Sequence, residues 1–473
     1  MKILLIDVPF GIREIGGKRA AFASVRNVIP ALGLAYLAAV AEKEGHDVCI
    51  FDYAKKFDDN WDAIVRKSIS FKPDIIGITA TTPAFKNALK TATLLRKTMP
   101  NAVFLAGGAH PTAAPEHAAA ARVFDYLILG EGEVTFVELL QHFEGKGTTK
   151  PEDIPGLAFW RDKKLIFTQP RKPIENLDSI PLPARHLLPP LKLYHPTPAS
   201  YRKLPLAHII TSRGCPSKCN FCDRSVFGEK YRKRSSDNVL AEVEEVVSKY
   251  GAREIRFFDD CFTINKNRLE EICQGLKKIR PRCIWTCLTK VNLVNPEMLQ
   301  MMHDAGCWQV LYGLESGDDR VLKTLGKGTT VKQNRLAVKW TREAHIRVRA
   351  DFIVGTPNET METLTNTLNF AKKLPIDFAH FNKFVPFPGT EFYRQLIKQG
   401  YWFDFSRDSS IMDHDALVFV PSAIPSAKYR EFLDRAYKEF YLRPSYILRR
   451  LFAMRTFTEF CGNIKGFFSI RSI

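Results

Sequence analysis

The 473-residue chain has no uninterrupted apolar run near the ~18 residues that a membrane-spanning helix needs. Met1-Lys2 leads straight into the four apolar residues Ile3-Leu4-Leu5-Ile6, too few for the core of a secretory leader. A cytoplasmic protein is expected, with contact at the inner face of a membrane left open. Cysteine is scarce, ten in all, and shows no paired spacing outside one loop, so a disulfide scaffold is not expected. Acidic residues are in deficit, 51 against 69 Lys and Arg, which leaves a net charge of +18 and favours an anionic partner or surface. The excess is local: residues 201–235 carry nine basic and two acidic residues, and 441–473 carry six and one. With 45% hydrophobic and 25% charged residues the composition is that of an ordinary globular protein, long enough for two to four domains.

The most informative stretch is Thr211-Ser212-Arg213-Gly214-Cys215-Pro216-Ser217-Lys218-Cys219-Asn220-Phe221-Cys222. Three thiols at C-x3-C-x2-C spacing can be turned toward one point by so short a loop. A structural zinc site takes four ligands, commonly two C-x2-C pairs, and no second pair lies near. A four-iron cluster usually has four thiolates, so three leave one iron open. The motif, with Phe221 before the last Cys, resembles the radical S-adenosylmethionine (SAM) superfamily. The resemblance implies that Cys215, Cys219 and Cys222 ligate a catalytic [4Fe-4S] cluster. It also implies that the open iron chelates SAM and that one electron from the cluster cleaves SAM to a 5′-deoxyadenosyl radical.

Residues 1–145 alternate apolar runs (Ile3–Ile6, Val48–Phe51, Ile75–Thr79, Val103–Ala106, Tyr126–Leu129) with helical patterns (Leu32–Glu44, Trp61–Ser70, Phe85–Thr98, Ala113–Ala121, Val134–Phe143). Five such units predict a parallel sheet covered on both faces, with its ligand beyond the strands' carboxyl ends. The segments there are Asp7-Val8-Pro9, Thr79-Ala80-Thr81-Thr82-Pro83, Gly107-Gly108-Ala109-His110-Pro111 and Gly130-Glu131-Gly132-Glu133. This half resembles the cobalamin-binding domain that precedes many radical SAM barrels. By that resemblance Pro9, Thr79, Thr81, Thr82, Gly107, Gly108, His110, Gly130, Glu131 and Gly132 are the cobalamin-contact candidates. Other cobalamin domains carry D-x-H-x-x-G after the first strand. Here Val8 and Pro9 follow Asp7, so cobalamin is expected without a protein histidine on cobalt.

Residues 207–385 read as six more βα units, with strands at His208–Thr211, Ile255–Phe258, Cys283–Leu288, Gln309–Tyr312, Val348–Val354 and Phe378–Val385. In parallel barrels the chemistry sits at the carboxyl ends of the strands. There lie Asp259-Asp260, Gly313-Leu314-Glu315-Ser316-Gly317 and Asp351-Phe352-Ile353-Val354-Gly355-Thr356-Pro357, which match the superfamily in order. The match makes Phe221, Asp259, Asp260, Glu315, Ser316 and Arg349 the SAM-contact candidates. Cys261, Cys283 and Cys287 have no assigned role, and a buried free Cys often serves as a small hydrophobe.

The expected fold class is thus α/β. A doubly wound parallel sheet of Rossmann-like or flavodoxin-like type spans 1–146. A linker with eleven prolines, 147–206, contains a plausible hairpin at Leu157–Trp160 and Leu165–Thr168. A partial (β/α)6 TIM-type barrel spans 207–390, and a partly helical, basic, amphipathic region spans 391–473. The resemblance implies a cobalamin-dependent radical SAM enzyme acting on a small-molecule or lipid-like substrate. It needs an external low-potential electron donor of flavodoxin or ferredoxin type, and nucleic acid is not the expected partner. Methyl transfer from methylcobalamin to an unactivated carbon is the leading reaction. Radical cyclisation or rearrangement is the alternative, and a cobalamin-binding sensor with an inert barrel is a third reading.

Overall fold

A computed structural model describes residues 1–8, 29–52, 61–146, 149–403, 405 and 417–453. The first sheet contains β1 (Lys2–Asp7), β2 (Asp47–Phe51), β3 (Ile75–Thr79), β4 (Val103–Gly107), β5 (Tyr126–Ile128), β6 (Leu157–Arg161) and β7 (Lys164–Phe167), in the order β2-β1-β3-β4-β5-β6-β7. The first five are parallel. Runs such as Ile3-Leu4-Leu5-Ile6 are apolar at every position because helices cover both faces. Helices Leu32–Lys43 and Gly132–Phe143 pack on one face, and Phe85–Thr98 on the other. The strand order reverses between β1 and β3, and it is beyond the carboxyl ends at such a switch that open α/β sheets take their ligands.

Two expectations change here. The hairpin β6–β7, expected within the linker, belongs to the first sheet: β6 pairs antiparallel with β5, so that sheet continues to residue 167. The helix expected over Ala113–Ala121 is two short ones, Ala109–Ala113 and Pro115–Ala120. Pro115 disfavours helical backbone at Ala114, whose φ of −140° makes the break.

The second sheet contains β8 (Leu206–Ile209), then β11 (Glu254–Phe257), β12 (Ile284–Thr289), β13 (Cys307–Glu315), β14 (Arg347–Val354) and β15 (Phe378–Lys383), all parallel and in sequence order. Between β8 and β11 a small ladder, β9 (Ser212–Arg213) with β10 (Arg232–Lys233), brackets the Cys loop. The helices between and after these strands begin on polar caps; Ser235, Asn265, Asn295, Thr330, Thr360 and Thr390 each accept a backbone N–H from the first turn. Outward side chains such as Ile255, Phe257, Trp285, Val310, Phe352 and Phe381 join one apolar core with those helices.

Strands β8 and β15 do not pair, so the barrel is open. The free edge of β15 is closed by side chains of the helix Ser426–Tyr441. Tyr441 Oη accepts from Ala379 N at 2.9 Å and donates to Ala379 O at 2.8 Å. Tyr437 Oη does the same for Phe381, at 3.2 and 3.3 Å. The next helix, Pro444–Ala453, buries Tyr446 and Arg450 and exposes Leu448, Leu451 and Phe452. No helix among the described residues is long and apolar enough to cross a membrane. The apolar and basic residues expected beyond Ala453 lie outside the described residues.

Candidate active site at the carboxyl ends of the two sheets

The Cys loop is held from all sides. The carbonyls leading into it each accept from a buried arginine: His208 O from Arg185 at 2.6 Å, Ile210 O from Arg234 at 3.0 Å and Thr211 O from Arg268 at 2.9 Å. Glu242, fully buried, pairs with both Arg185 and Arg234. Asp259, at the end of β11, accepts from Thr211 N, Thr211 Oγ1 and Ser212 Oγ at 2.5–2.6 Å. Further along, Asn220 bonds to the backbone of Thr324 and Leu325, and Lys290 Nζ reaches Ser217 Oγ at 2.9 Å. So many charged, desolvated clamps fix the loop without help from a ligand.

Within the loop Cys215 is half-buried, Cys219 buried and Cys222 exposed. Burial pushes the Cys219 thiol up. A nucleophilic cysteine has its pKa lowered by nearby positive charge; at Cys219 burial outweighs the two nearby lysines, which suits a metal that deprotonates its own ligands. Among the described residues no three His, Cys, Asp or Glu converge on a single-ion site. A four-iron cluster is wider than one ion and takes one thiolate per iron, and the three thiols lie near enough to act on one another's titration.

Glu315 ends β13 at a bulge, with φ +60°, and its carboxylate meets Lys327 Nζ at 2.7 Å in a buried pair. Gly313 is what makes room, since a Cβ there would lie 2.2 Å from Glu315 Oε1. Lys327 and Lys290, which the sequence reading missed, bring the nearest positive charge to Cys219. Their signal was a Lys directly after β12 and a second in the Gly326-Lys327-Gly328 turn. Arg349 faces the barrel interior and bonds Ser200 Oγ at 2.7 Å and His380 Nδ1 at 3.0 Å. Phe221 is half-buried beside Lys327, and Asp260 is exposed at the mouth. Besides Glu315 and Arg349, which have the partners just given, two SAM-contact candidates are turned into the protein: Asp259 as above, and Ser316, fully buried, whose Oγ bonds Thr367 Oγ1 at 2.9 Å and accepts from Asp318 N. Both fix backbone turns. Cys261, Cys283 and Cys287 are buried in the core around the barrel strands.

In the first sheet the crevice rim is formed by Thr79, Thr81, Gly107, Gly108 and Gly130. Thr81 is exposed and the rest are half-exposed. Gly108 has φ +97°, and a Cβ there would sit 2.7 Å from Thr79 Oγ1, so the backbone lies close against the rim. Pro9 lies outside the described residues. Thr82 and His110 are turned inward: His110 has no exposure, its Nδ1 is 3.2 Å from Thr82 Oγ1 and its Nε2 is 2.9 Å from His117 Nδ1. Neither ring nitrogen is left to ligate cobalt. Glu131 is buried as well. It pairs with Arg232 and Arg213 of the Cys-loop ladder, while neighbouring Glu133 pairs with Arg213. Glu131 therefore joins the two sheets, and Gly132, packed near Leu37 and Ile128, serves that turn.

Two family profiles match the chain: the radical SAM superfamily over residues 209–371 and the B12 binding domain over 18–140. An uncharacterized methyltransferase of Pyrococcus horikoshii is 35% identical over 457 residues, 96% of this chain and 95% of that one. The chain belongs to the cobalamin-binding radical SAM family. The anaerobic magnesium-protoporphyrin IX monomethyl ester cyclase of Rubrivivax gelatinosus, another relative, is 30% identical over 427 residues, 88% of this chain and 75% of that one. The cobalamin-dependent S-adenosylmethionine radical enzyme OxsB, solved with aqua-cobalamin and SAM bound, shares the fold: TM-score 0.77 at 17% identity, over 100% of this chain and 71% of that one. As a cobalamin-dependent radical SAM enzyme the protein uses a [4Fe-4S] cluster, SAM and cobalamin, acts on a small molecule and needs a reductant.

Proposed function

We propose that the protein is a C-methyltransferase. When bound, the cluster with SAM supplies a carbon-centred oxidant and the corrinoid supplies a methyl group. The supporting observation is the pairing of Glu131 and Glu133 with Arg213 and Arg232, which brings the loops beyond the carboxyl ends of both sheets together. The end-to-end likeness to a methyltransferase supports the same reading.

In this reading residues 1–167 form the cobalamin domain, 168–206 the connection, 207–390 the barrel and the rest a C-terminal brace. Cys215, Cys219 and Cys222 hold the cluster. Phe221, Asp260, Glu315 and Arg349 line the SAM side, where an exposed carboxylate such as Asp260 can accept from an ammonium. Thr79, Thr81, Gly107, Gly108 and Gly130 lie against the corrinoid, with no protein imidazole on cobalt. Thr211, Ser212 and Asp259 keep the loop in place while ligands exchange. Electrons come from a small carrier of flavodoxin or ferredoxin type. Leu448, Leu451 and Phe452 beside Arg449 suit contact with a membrane surface, which would bring a hydrophobic substrate near the barrel.

The test is the product pair from SAM, measured by mass spectrometry after anaerobic incubation of the reconstituted protein with cobalamin, a low-potential reductant and a lipid extract. Methyl transfer requires 5′-deoxyadenosine and S-adenosylhomocysteine to rise together and to depend on the extract. Deoxyadenosine alone moves the protein to the cyclase reading, which the second relative favours. Neither product would reject both.

A further inference from the structure

In a closed parallel barrel the inward side chains are mostly Val, Ile and Leu and fill the interior. Here the inner faces of the strands carry His208, Arg256, Thr286, Gln309, Arg349, Asp351 and His380 instead, while the apolar residues face the helices. His208, Arg256 and Thr286 stand side by side on β8, β11 and β12, in one register and on one face. Neighbouring strands are about 4.8 Å apart, so the three side chains converge on one spot.

The polar groups at that spot make no hydrogen bonds to one another. His208 is 1% exposed, and neither ring nitrogen has a partner. Thr286 Oγ1 is buried and unpartnered too. Arg256 is 8% exposed; its guanidinium lies 5.5 Å from the Phe258 ring centroid and, among the described residues, has no hydrogen bond or ion pair. The nearest acids, Glu254 and Asp351, attract Arg256 without bonding to it, and Asp351 Oδ1 itself makes no hydrogen bond. Glu254 accepts from the backbone of Arg202 and Lys203 and from Trp308 Nε1, and Asp351 sits 3.3 Å from His380 and 3.6 Å from Arg349. Burial, and then repulsion from Arg349, lower Arg256 to about 10 against the attraction of Asp351 and Glu254. Burial keeps His208 neutral, so it offers one N–H. An unpaired buried cation is costly, and water would satisfy its N–H groups without neutralising it.

The space also has a direction. Exposure rises from Arg256 to 25–27% for the Asp351 and His380 side chains and 41% for Phe258, so the interior opens toward the Cys loop. Half-exposed Ile210, Leu288 and Ile353 join Phe258 above the polar floor. We propose that Arg256, His208 and Thr286 form the floor of the substrate site and bind an oxyanion, carboxylate or phosphate, at the end of an otherwise apolar substrate. The inference rests on the reading of the barrel as the reaction chamber and adds the class of substrate it takes.

The test uses the full chain with cluster, SAM and cobalamin, melted anaerobically with phenyl phosphate, phenylacetate or chloride at matched ionic strength. The wild type rises by about 2–4 °C with one of the two aromatic anions and not with chloride. The anion that acts identifies the end group. Arg256→Met keeps the alkyl stem, melts above the wild type without ligand and loses the response. Thr286→Val, nearly isosteric, keeps the fold and loses at least half of it. Equal responses in wild type and Arg256→Met would mean surface binding on a basic protein and would overturn the proposal. So would loss of SAM binding by Arg256→Met in equilibrium dialysis, which would give the arginine to SAM. The product assay of the preceding section is independent: no SAM cleavage with a normal anion response sinks the enzymatic reading and leaves the anion site standing.

Discussion

Arg213, two residues before Cys215, reaches out of the barrel to the carboxylate of Glu133 in the first turn of the helix after β5, and both side chains are less than a tenth exposed. The ladder that brackets the cluster loop is therefore anchored in the other sheet. Arg213→Met leaves Glu133 buried without a partner and is expected to cost about 3–5 kcal/mol. Glu133→Gln, which keeps an acceptor, is expected to cost less. Urea unfolding followed by intrinsic fluorescence measures both. Equal, small losses would show that the pair contributes nothing to holding the sheets together.

Asp7, at the carboxyl end of β1, is raised to about 7 by burial and then by Asp52, which itself accepts from Tyr194 Oη at 2.7 Å. An unfolded aspartate titrates near 4. The raised native value means that its contribution to stability is full below about pH 4 and is lost as pH rises through 7. Asp7→Asn removes that loss. The difference in melting temperature between variant and wild type should grow from pH 5 to pH 8 in favour of the variant; a flat difference would reject the assignment.

The hydroxyls of Tyr437 and Tyr441 occupy four backbone groups on the free edge of β15. Replacing both by Phe leaves those groups without partners, at roughly 1–3 kcal/mol for each buried group that water cannot reach. The double variant should be clearly less stable and more prone to aggregate through an exposed strand edge. Light scattering during a thermal ramp would show it, and an unchanged ramp would mean that solvent serves the edge equally well.

His110 is lowered to about 3 by burial and by His117, and both its nitrogens are engaged. Electron paramagnetic resonance of the cob(II)alamin-loaded protein should show no nitrogen coupling from a protein imidazole. His110→Gln should leave the cobalt spectrum unchanged while lowering thermal stability. Histidine coupling that disappears in this variant would reverse the reading.

The β-strands were legible because each is a short apolar run between helical patterns, and the Cys loop because three thiols at that spacing have few other uses. What the sequence hid lies in long-range pairing. The hairpin β6–β7 has no local mark that distinguishes a free hairpin from one that extends a sheet. The basic stretch 201–235 reads as a charged surface, yet Arg213, Arg232 and Arg234 are buried against Glu131, Glu133 and Glu242. Only contact in space tells a solvated arginine from a clamped one. Asp259 and Ser316 were found by motif, but a motif marks position and not orientation, and both point into the protein.

The acidic turn Gly130-Glu131-Gly132-Glu133 and the arginines beside the Cys loop have a consequence for how such proteins can be recombined. A barrel transplanted onto a foreign corrinoid module that lacks the two glutamates would carry Arg213 and Arg232 unpaired at the threshold of its cluster. The two halves fit together as a matched set. Chimeras that move the barrel together with this four-residue turn should assemble where those that divide it fail.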